Sequence, residues 1–228
     1  MLVEASAEQR EHYRREGWLH VPGLVTRRQC DELIELVLPH IPDPTRPNTY
    51  IIDSELWYAE PRIRELWHRS VVEHFVRTLL GDPAVDVRLT AGGIHALGPG
   101  TDERTYWHQE AAVSADPWGP YMCAAWVALT DVPARRAPLI VVPRSHIDPT
   151  PTFGAGLRYG FDRFDQVRTV EDDENAFPEC IPIEAGAGDA VFFDQWTIHA
   201  SRPNTDTLPR IALTGRYRVA NSVPRVGA

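Results

Sequence analysis

The feature that most constrains this chain is a change of pattern after Gly81. From there the sequence runs as short β-rich segments: "AVDVRLT", "IHAL", "TYWHQEA", "YMCAAWVALT", "PLIVVP", "IPIEA", "DAVFFD" and "RIALTGRYRV". Gly, Pro, Asn and Asp separate them. Many short strands divided by turn residues predict a β-sandwich or barrel. The 20 prolines act in the same direction, since each fixes φ and removes a backbone donor that a long helix needs. Residues 149–178 depart from the pattern as a long connection rich in Gly, Arg and acids. A connection of that length predicts a lid, a binding loop or a disordered segment.

The first third reads as helices around one short strand. "GWLHVPGLV" predicts a strand that ends at Pro22-Gly23. Thr26 then caps a helix, with Gln29 at the capping-box position. Cys30, Leu33, Ile34, Val37 and Leu38 fall at helical spacing and predict its core-facing stripe. The proline-rich "PHIPDPTRP" ends it. "PRIRELWHRS" begins another helix, Ser70 with Glu73 resets a cap, and "VVEHFVRTLLG" runs to a stop at Gly81. The expected fold class is mainly β with flanking helices. The expected organisation is a single domain over 1–228, with 1–81 packed on a jelly-roll core formed by 82–228.

Composition narrows the function classes. A net charge of −9 argues against nucleic acid or an anionic membrane as the main partner. No apolar run reaches the roughly 18 residues of a membrane-spanning helix. The charged start "MLVEASAEQREHYRREG" has no apolar core, so no signal peptide is expected. Cys30, Cys123 and Cys180 are scattered and form no CxxC, which argues against a disulfide framework or a thiolate zinc site. The expectation is a soluble cytoplasmic protein that acts on a small molecule, with its oligomeric state left open.

Chemistry enters with "YWHQE", Tyr106 to Glu110. Residues two apart on a strand point the same way, so His108 and Glu110 can share one cavity. They are either half of a metal site or an alternating strand with a surface ion pair. The chain holds 9 histidines, so any one pair is weak evidence. His199 strengthens the first reading. It lies in "GDAVFFDQWTIHASRPN", just past an apolar strand and before a Pro-Asn turn, which predicts the rim of a cavity. Two imidazoles and a carboxylate on one face are the donor set of mononuclear non-haem iron. Arg210 opens the last β-rich segment and is either a surface arginine or the partner of an anion.

Taken together, these blocks resemble the phytanoyl-CoA dioxygenase family of Fe(II)/2-oxoglutarate oxygenases, a family that includes many natural-product tailoring enzymes. "GWLHVPGLVTRRQCDELIEL" resembles the family's opening strand and helix. "YWHQE" resembles its W-H-x-D metal motif, and "AWVALTDV" with "APLIVVPRSH" its middle strands. "AGAGDAVFFDQWTIHASRPN" and "PRIALTGRYR" resemble its distal-histidine and arginine motifs. The resemblance implies a cupin-like double-stranded β-helix, Fe(II) as metal, and 2-oxoglutarate and O₂ as co-substrates. It implies iron ligation by His108, Glu110 and His199, and an Arg210 pair with the far carboxylate of 2-oxoglutarate. Trp126 matches the family's tryptophan beside the co-substrate, or is an ordinary core aromatic. His95 is the polar candidate on the strand ahead of the metal motif, where the family often has lysine; otherwise it is a core or rim histidine. Ser201 either hydrogen-bonds near the co-substrate or caps its turn. His146 in "PRSH" is expected to hold a strand-end turn.

Two departures stand out. "RRAPL" replaces the family's N-G-x-L turn, which predicts a remodelled turn. Glu110 stands where aspartate is usual, and its extra methylene displaces the carboxylate unless the backbone withdraws. Related halogenases have Ala or Gly at that position, so a carboxylate there implies oxygen transfer rather than halogenation. The expected reaction is hydroxylation of an unactivated C–H bond, with desaturation, epoxidation or rearrangement as alternative outcomes of the same site. A catalytic zinc site and a non-catalytic relative of the family are the rival readings. Tyr50, Trp57 and Tyr58 are expected to line an apolar pocket or to pack in the core. Arg158, Arg163 and Arg168 are expected to meet an anionic group, or to be solvated or pair with "EDDE", residues 171–174.

Overall fold

The computed structural model describes residues 3–47, 49–53, 61–67, 71–81, 85–102, 104–105, 107–111, 120–147 and 177–220. The expectations for Trp57, Tyr58, Ser70, Tyr106, Arg158, Arg163, Arg168 and the acidic run lie outside them, as do the Tyr50 side chain and most of 149–178. No helix among the described residues is long and apolar enough to cross a membrane.

The chain begins with helix α1 (Ala7–Glu16) and strand β1 (Trp18–Val21). A capping box of Ser6 and Gln9 starts α1, and Thr26 with Gln29 does the same for α2 (Arg27–Val37). Cys30, Leu33 and Val37 of α2 are buried as the stripe predicts, but Leu38 is 37% exposed. Pro39 lies within a turn of 3₁₀ helix at Leu38–His40, which rotates Leu38 off the core-facing side. Strand β2 (Thr49–Asp53) and helices α3 (Pro61–Trp67) and α4 (Val71–Leu79) complete the first third.

The remaining strands are β3 (Val87–Leu97), β4 (Met122–Ala128), β5 (Leu139–Val141), β6 (Ile181–Ile183), β7 (Ala190–Asp194), β8 (His199–Ser201) and β9 (Arg210–Val219). Two expected segments, "AVDVRLT" and "IHAL", are one strand. β3 passes through Gly92-Gly93 without a break and takes up a register shift between Leu89 and Ala91 in its pairing with β9. β2 and β8 are strands that the pattern does not reveal. Among the described residues, six strands form one antiparallel sheet in the order β1-β7-β4-β9-β3-β2, and three form a second in the order β6-β5-β8. The two sheets enclose a mainly β jelly roll, as expected.

Alternation along β4 shows how the layers are built. Cys123, Ala125 and Val127 join Phe192, Ile211 and Leu213 under the helices, where Phe75 of α4 stacks on Phe192 at 4.9 Å. Ala124, Trp126 and Ala128 face inward with Val191, Phe193 and Ala212, towards Leu139, Val141 and Ile183 of the small sheet. Both faces of β4 are buried, so it reads as one continuous apolar run. The alanines on the inner face leave room between the sheets.

The "RRAPL" turn is organised around charge. Arg136 is buried, with its Nε 3.0 Å from an Asp206 carboxylate oxygen and its Nη1 2.8 Å from the Asp131 carbonyl. His146 holds a strand-end turn, as expected, by donating from Nε2 to the Arg14 carbonyl at 3.0 Å.

Gly188 ties the helical layer to the sheet. Its N–H bonds the Ala128 carbonyl at 2.8 Å, and its own carbonyl accepts from Val25 N at 2.9 Å. Its φ is +99°, and an added Cβ would overlap the Val25 carbonyl oxygen. Neither backbone segment can withdraw without breaking these bonds. Gly188→Ala is expected to destabilise the fold by on the order of 3 kcal/mol, a fall in Tm of about 6–12 °C on thermal denaturation.

Candidate metal centre

Segment 107–111 runs antiparallel to β8 and the residues before it. His108 N–H bonds the His199 carbonyl and His199 N–H bonds the His108 carbonyl, each at 3.0 Å. A pair that exchanges both bonds places its side chains on the same face. The expected strand "TYWHQEA" is therefore realised as a bridge to β8 rather than as a full strand. Further bonds extend the contact: Ala111 N–H to the Gln195 carbonyl at 2.9 Å, and Ser201 N–H to the Thr105 carbonyl at 3.0 Å.

The alternation places Glu110 beside the two histidines. Its Oε1 lies 3.7 Å from His108 Nε2 and 3.5 Å from His199 Nε2. All three donor atoms fall within 4.8 Å of one another. An ion about 2.1 Å from each donor needs neighbouring donors about 3–4 Å apart, so the three side chains fit a metal. Gln109 between them points away and bonds the Trp196 carbonyl through Nε2 at 2.8 Å. The imidazole rings of His108 and His199 lie 4.1 Å apart, and Phe193 packs against His199 at 4.3 Å.

His199 is held in one tautomer. Its Nδ1 lies 2.9 Å from the Thr197 carbonyl, which can only accept, so Nδ1 carries the proton and Nε2 presents a lone pair. Thr197 is held in turn by its hydroxyl donating to the Gly17 carbonyl at 2.7 Å. Gly17 ends α1 at φ +81°, where an added Cβ would run into His146. The helix end, the "PRSH" turn and the distal ligand are thus one packed unit. Neither Gly17 nor Thr197 is marked in the sequence, since their role depends on contacts far apart along the chain.

The charges follow from burial and partners. Burial pushes His199 below the ordinary histidine range, and His108 adds to this. Burial opposes the charge on Glu110, but Arg216 and the two imidazoles outweigh it and hold the carboxyl well below the usual carboxylate range. Arg216 was not singled out by sequence, and its Nε contacts Glu110 Oε2 at 2.5 Å. The signal that could have found it is period two: Arg210, Ala212, Thr214 and Arg216 share one face of β9.

Arg210 is 2% exposed, and its Nε and Nη2 are buried with no hydrogen-bond partner among the described residues. Its Cζ lies 5.7 Å from the centre of the Trp126 ring, within cation–π range. Burial lowers its pKa to about 9, which still leaves a full charge at neutral pH. A buried, charged guanidinium whose Nε and Nη2 have no partner among the described residues fits an anionic ligand such as the carboxylate of 2-oxoglutarate. His95 lies on β3 opposite Ala212 of β9. Burial, with Arg210 and Arg216 nearby, lowers its pKa to about 3, so it is neutral. The Ser201 hydroxyl accepts from Thr105 N–H at 2.9 Å and so fastens segment 104–105 to β8.

Comparison with solved structures shows the same fold. SnoK, a non-haem α-ketoglutarate-dependent carbocyclase from nogalamycin biosynthesis, aligns with a TM-score of 0.73 at 22% identity, over 98% of this chain and 88% of its own. EvdO2 from Micromonospora carbonacea var. aurantiaca gives 0.76 at 17% identity, over 100% and 96%. HygX from Streptomyces hygroscopicus, solved with nickel and 2-oxoglutarate bound, gives 0.70 at 17%, over 97% and 90%. A search of curated protein sequences gives no significant match. The phytanoyl-CoA dioxygenase (PhyH) family pattern, however, matches residues 13–212. With a jelly roll, a His-Glu-His donor set between its sheets and that match over most of its length, the chain belongs to the phytanoyl-CoA dioxygenase family of Fe(II)/2-oxoglutarate-dependent oxygenases.

Proposed function

We propose that the protein is an Fe(II)/2-oxoglutarate-dependent dioxygenase that hydroxylates an unactivated C–H bond of a small natural product. The observation that carries this reading is Arg210. A His₂-carboxylate set also suits catalytic zinc, but the buried guanidinium of Arg210, whose Nε and Nη2 lack partners among the described residues, fits the second carboxylate of a dicarboxylate co-substrate. The substrate class rests on the neighbours, since SnoK and the epimerase SnoN both belong to nogalamycin biosynthesis. Their carbocyclase and epimerase activities also favour a second outcome, an oxidative transformation of the substrate other than hydroxylation, from the same set of residues.

Each residue then has a defined task. His108, Glu110 and His199 hold the metal on one face and leave the opposite face open. Thr197 keeps His199 Nε2 unprotonated for that purpose. Arg210 fixes the far carboxylate of 2-oxoglutarate and thereby the orientation of the whole molecule. Trp126 supports the guanidinium from one side. His95, neutral and close to both arginines, supplies an uncharged polar edge to the co-substrate pocket. Ser201 keeps segment 104–105 against β8 and so helps hold His108 in place. Bound iron and 2-oxoglutarate together supply O₂ activation and the oxidising power for C–H cleavage, with succinate and CO₂ as co-products. The protein contributes position and the exclusion of water from the inner face.

Anaerobic addition of Fe(II) and 2-oxoglutarate is expected to produce a weak visible charge-transfer band. In Arg210→Met the band should weaken at the same 2-oxoglutarate concentration. The absence of any band, together with tightly held zinc, would overturn the oxygenase reading.

Arg210 also gives a stability prediction. Replacing a buried cation that has two nitrogens without partners among the described residues by an apolar side chain of similar length removes a desolvation cost. Arg210→Met without ligands should therefore melt about 2–4 °C higher than the wild type, a gain of roughly 1 kcal/mol. With metal present, 2-oxoglutarate at about 100 times its Kd should stabilise the wild type by about 2.7 kcal/mol and leave the variant unchanged. Differential scanning calorimetry reads both effects.

A further inference from the structure

We propose that Arg216 is a positioning residue for the metal centre: it holds the outer carboxylate oxygen of Glu110 so that the inner oxygen alone faces the two imidazoles. This rests on the metal reading given above. The two oxygens of Glu110 have separate partners. Oε2 accepts from Arg216 Nε at 2.5 Å, and Oε1 faces His199 Nε2 at 3.5 Å and His108 Nε2 at 3.7 Å.

The inference explains how glutamate serves where the family motif has aspartate. A glutamate carboxylate sits on one more rotatable bond, so a ligand of this length needs a second restraint to keep one geometry. Arg216 supplies it. An Arg Nε–H is directed in the plane of a rigid guanidinium, which makes the contact directional rather than a point attraction. The sheet provides the path. Arg216 lies opposite Ala91 on β3 and Ala124 on β4, and directly opposed residues share a face. Two alanines leave the arginine free to run across the inner face towards Glu110. Its side chain is 33% exposed, while that of Glu110 is 9% exposed, so the arginine reaches from a partly exposed position to a buried carboxylate. The match to the family pattern ends at Ala212, before Arg216. The arginine thus lies beyond the residues that mark the chain as a family member.

The test is anaerobic Co(II) titration of the wild type, Arg216→Ala, Arg216→Lys, Glu110→Asp and the double variant Glu110→Asp/Arg216→Ala. Folding is checked by circular dichroism and melting temperature. Arg216→Ala is expected to weaken Co(II) binding by about tenfold or more. It should also change the visible d–d spectrum, because the released carboxylate alters its donation to the ion. Arg216→Lys should recover part of the affinity. In the Glu110→Asp background, the carboxylate is withdrawn by up to about 1.5 Å and loses contact with Arg216. There, Arg216→Ala should change affinity less than about twofold. Arg216→Gln carries the same expectation as Arg216→Ala if the alanine variant does not fold.

Unchanged affinity and spectrum in Arg216→Ala, with or without a lower melting temperature, would overturn the inference. So would an equal loss in the Glu110 and Glu110→Asp backgrounds, since Arg216 would then act on the site's field rather than on Glu110. A wild-type chain that takes up no Co(II) would overturn the metal reading itself. A chain that binds Co(II) but is indifferent to Arg216 overturns this inference alone.

Discussion

Two backbone hydrogen bonds, from His108 N–H to the His199 carbonyl and the reverse, each 3.0 Å long, join parts of the chain that lie far apart in sequence. Much of the site follows from this pair. It sets the register between segment 107–111 and β8. It puts both imidazoles on one face and places Glu110 beside them through strand alternation. A slip of one residue would turn His108 and Glu110 to the opposite face and bring Trp107 and Gln109 inward. Packing opposes the slip. Trp107 is buried with Ile140, Val142, Ile198 and Ala200 on the outer face of the small sheet, and Gln109 is bonded to the Trp196 carbonyl.

The fold is arranged so that this pair sits where space and charge are available. The inner face of the large sheet is lined by small residues such as Ala124, Ala128 and Ala212, while the large apolar side chains of the same strands lie mainly on the helical side. Phe192 and Phe75 fill the layer under the helices. Phe193 and Trp126 are the exceptions on the inner face. One packs on His199 and the other lies beside Arg210. The helical layer also contributes to the centre itself, because the Gly17 carbonyl at the end of α1 holds the Thr197 hydroxyl.

Much of this was legible in the sequence where it depended on local period. The His-x-Glu spacing, the Thr26–Gln29 cap, the apolar runs of β4 and β7 and the arginine that opens β9 all follow from alternation or capping chemistry within a few residues. What depended on contacts across the fold was not legible. β8 is three residues long, too short for a pattern, and exists because β5 and segment 107–108 pair with it. Gly92-Gly93 reads as a break and is the middle of β3, where β9 on one side holds the chain extended through both residues. Leu38 matched the helical stripe, but the Pro39 turn takes it out of the helix. Arg216 looked like one more polar residue in the alternating "RYRV". Its contact with Glu110 across the fold is what gives it a role at the site.

The two inward arginines of β9 make opposite use of the same chemistry. They share a face and are separated by about 20 Å of strand. Arg216 contacts a carboxylate of the protein itself, so its charge is largely compensated. Arg210 has Nε and Nη2 without partners among the described residues, at a position where the cost of an uncompensated charge is high. His95 and His199 do not change this balance, because burial keeps both below the ordinary histidine range and hence neutral. An incoming dicarboxylate therefore meets a field that is already balanced around Glu110 and unbalanced around Arg210. The proposed orientation of the co-substrate rests on that asymmetry: its far carboxylate would pair with Arg210, whose Nε and Nη2 have no partner among the described residues, and its other end would face the histidines.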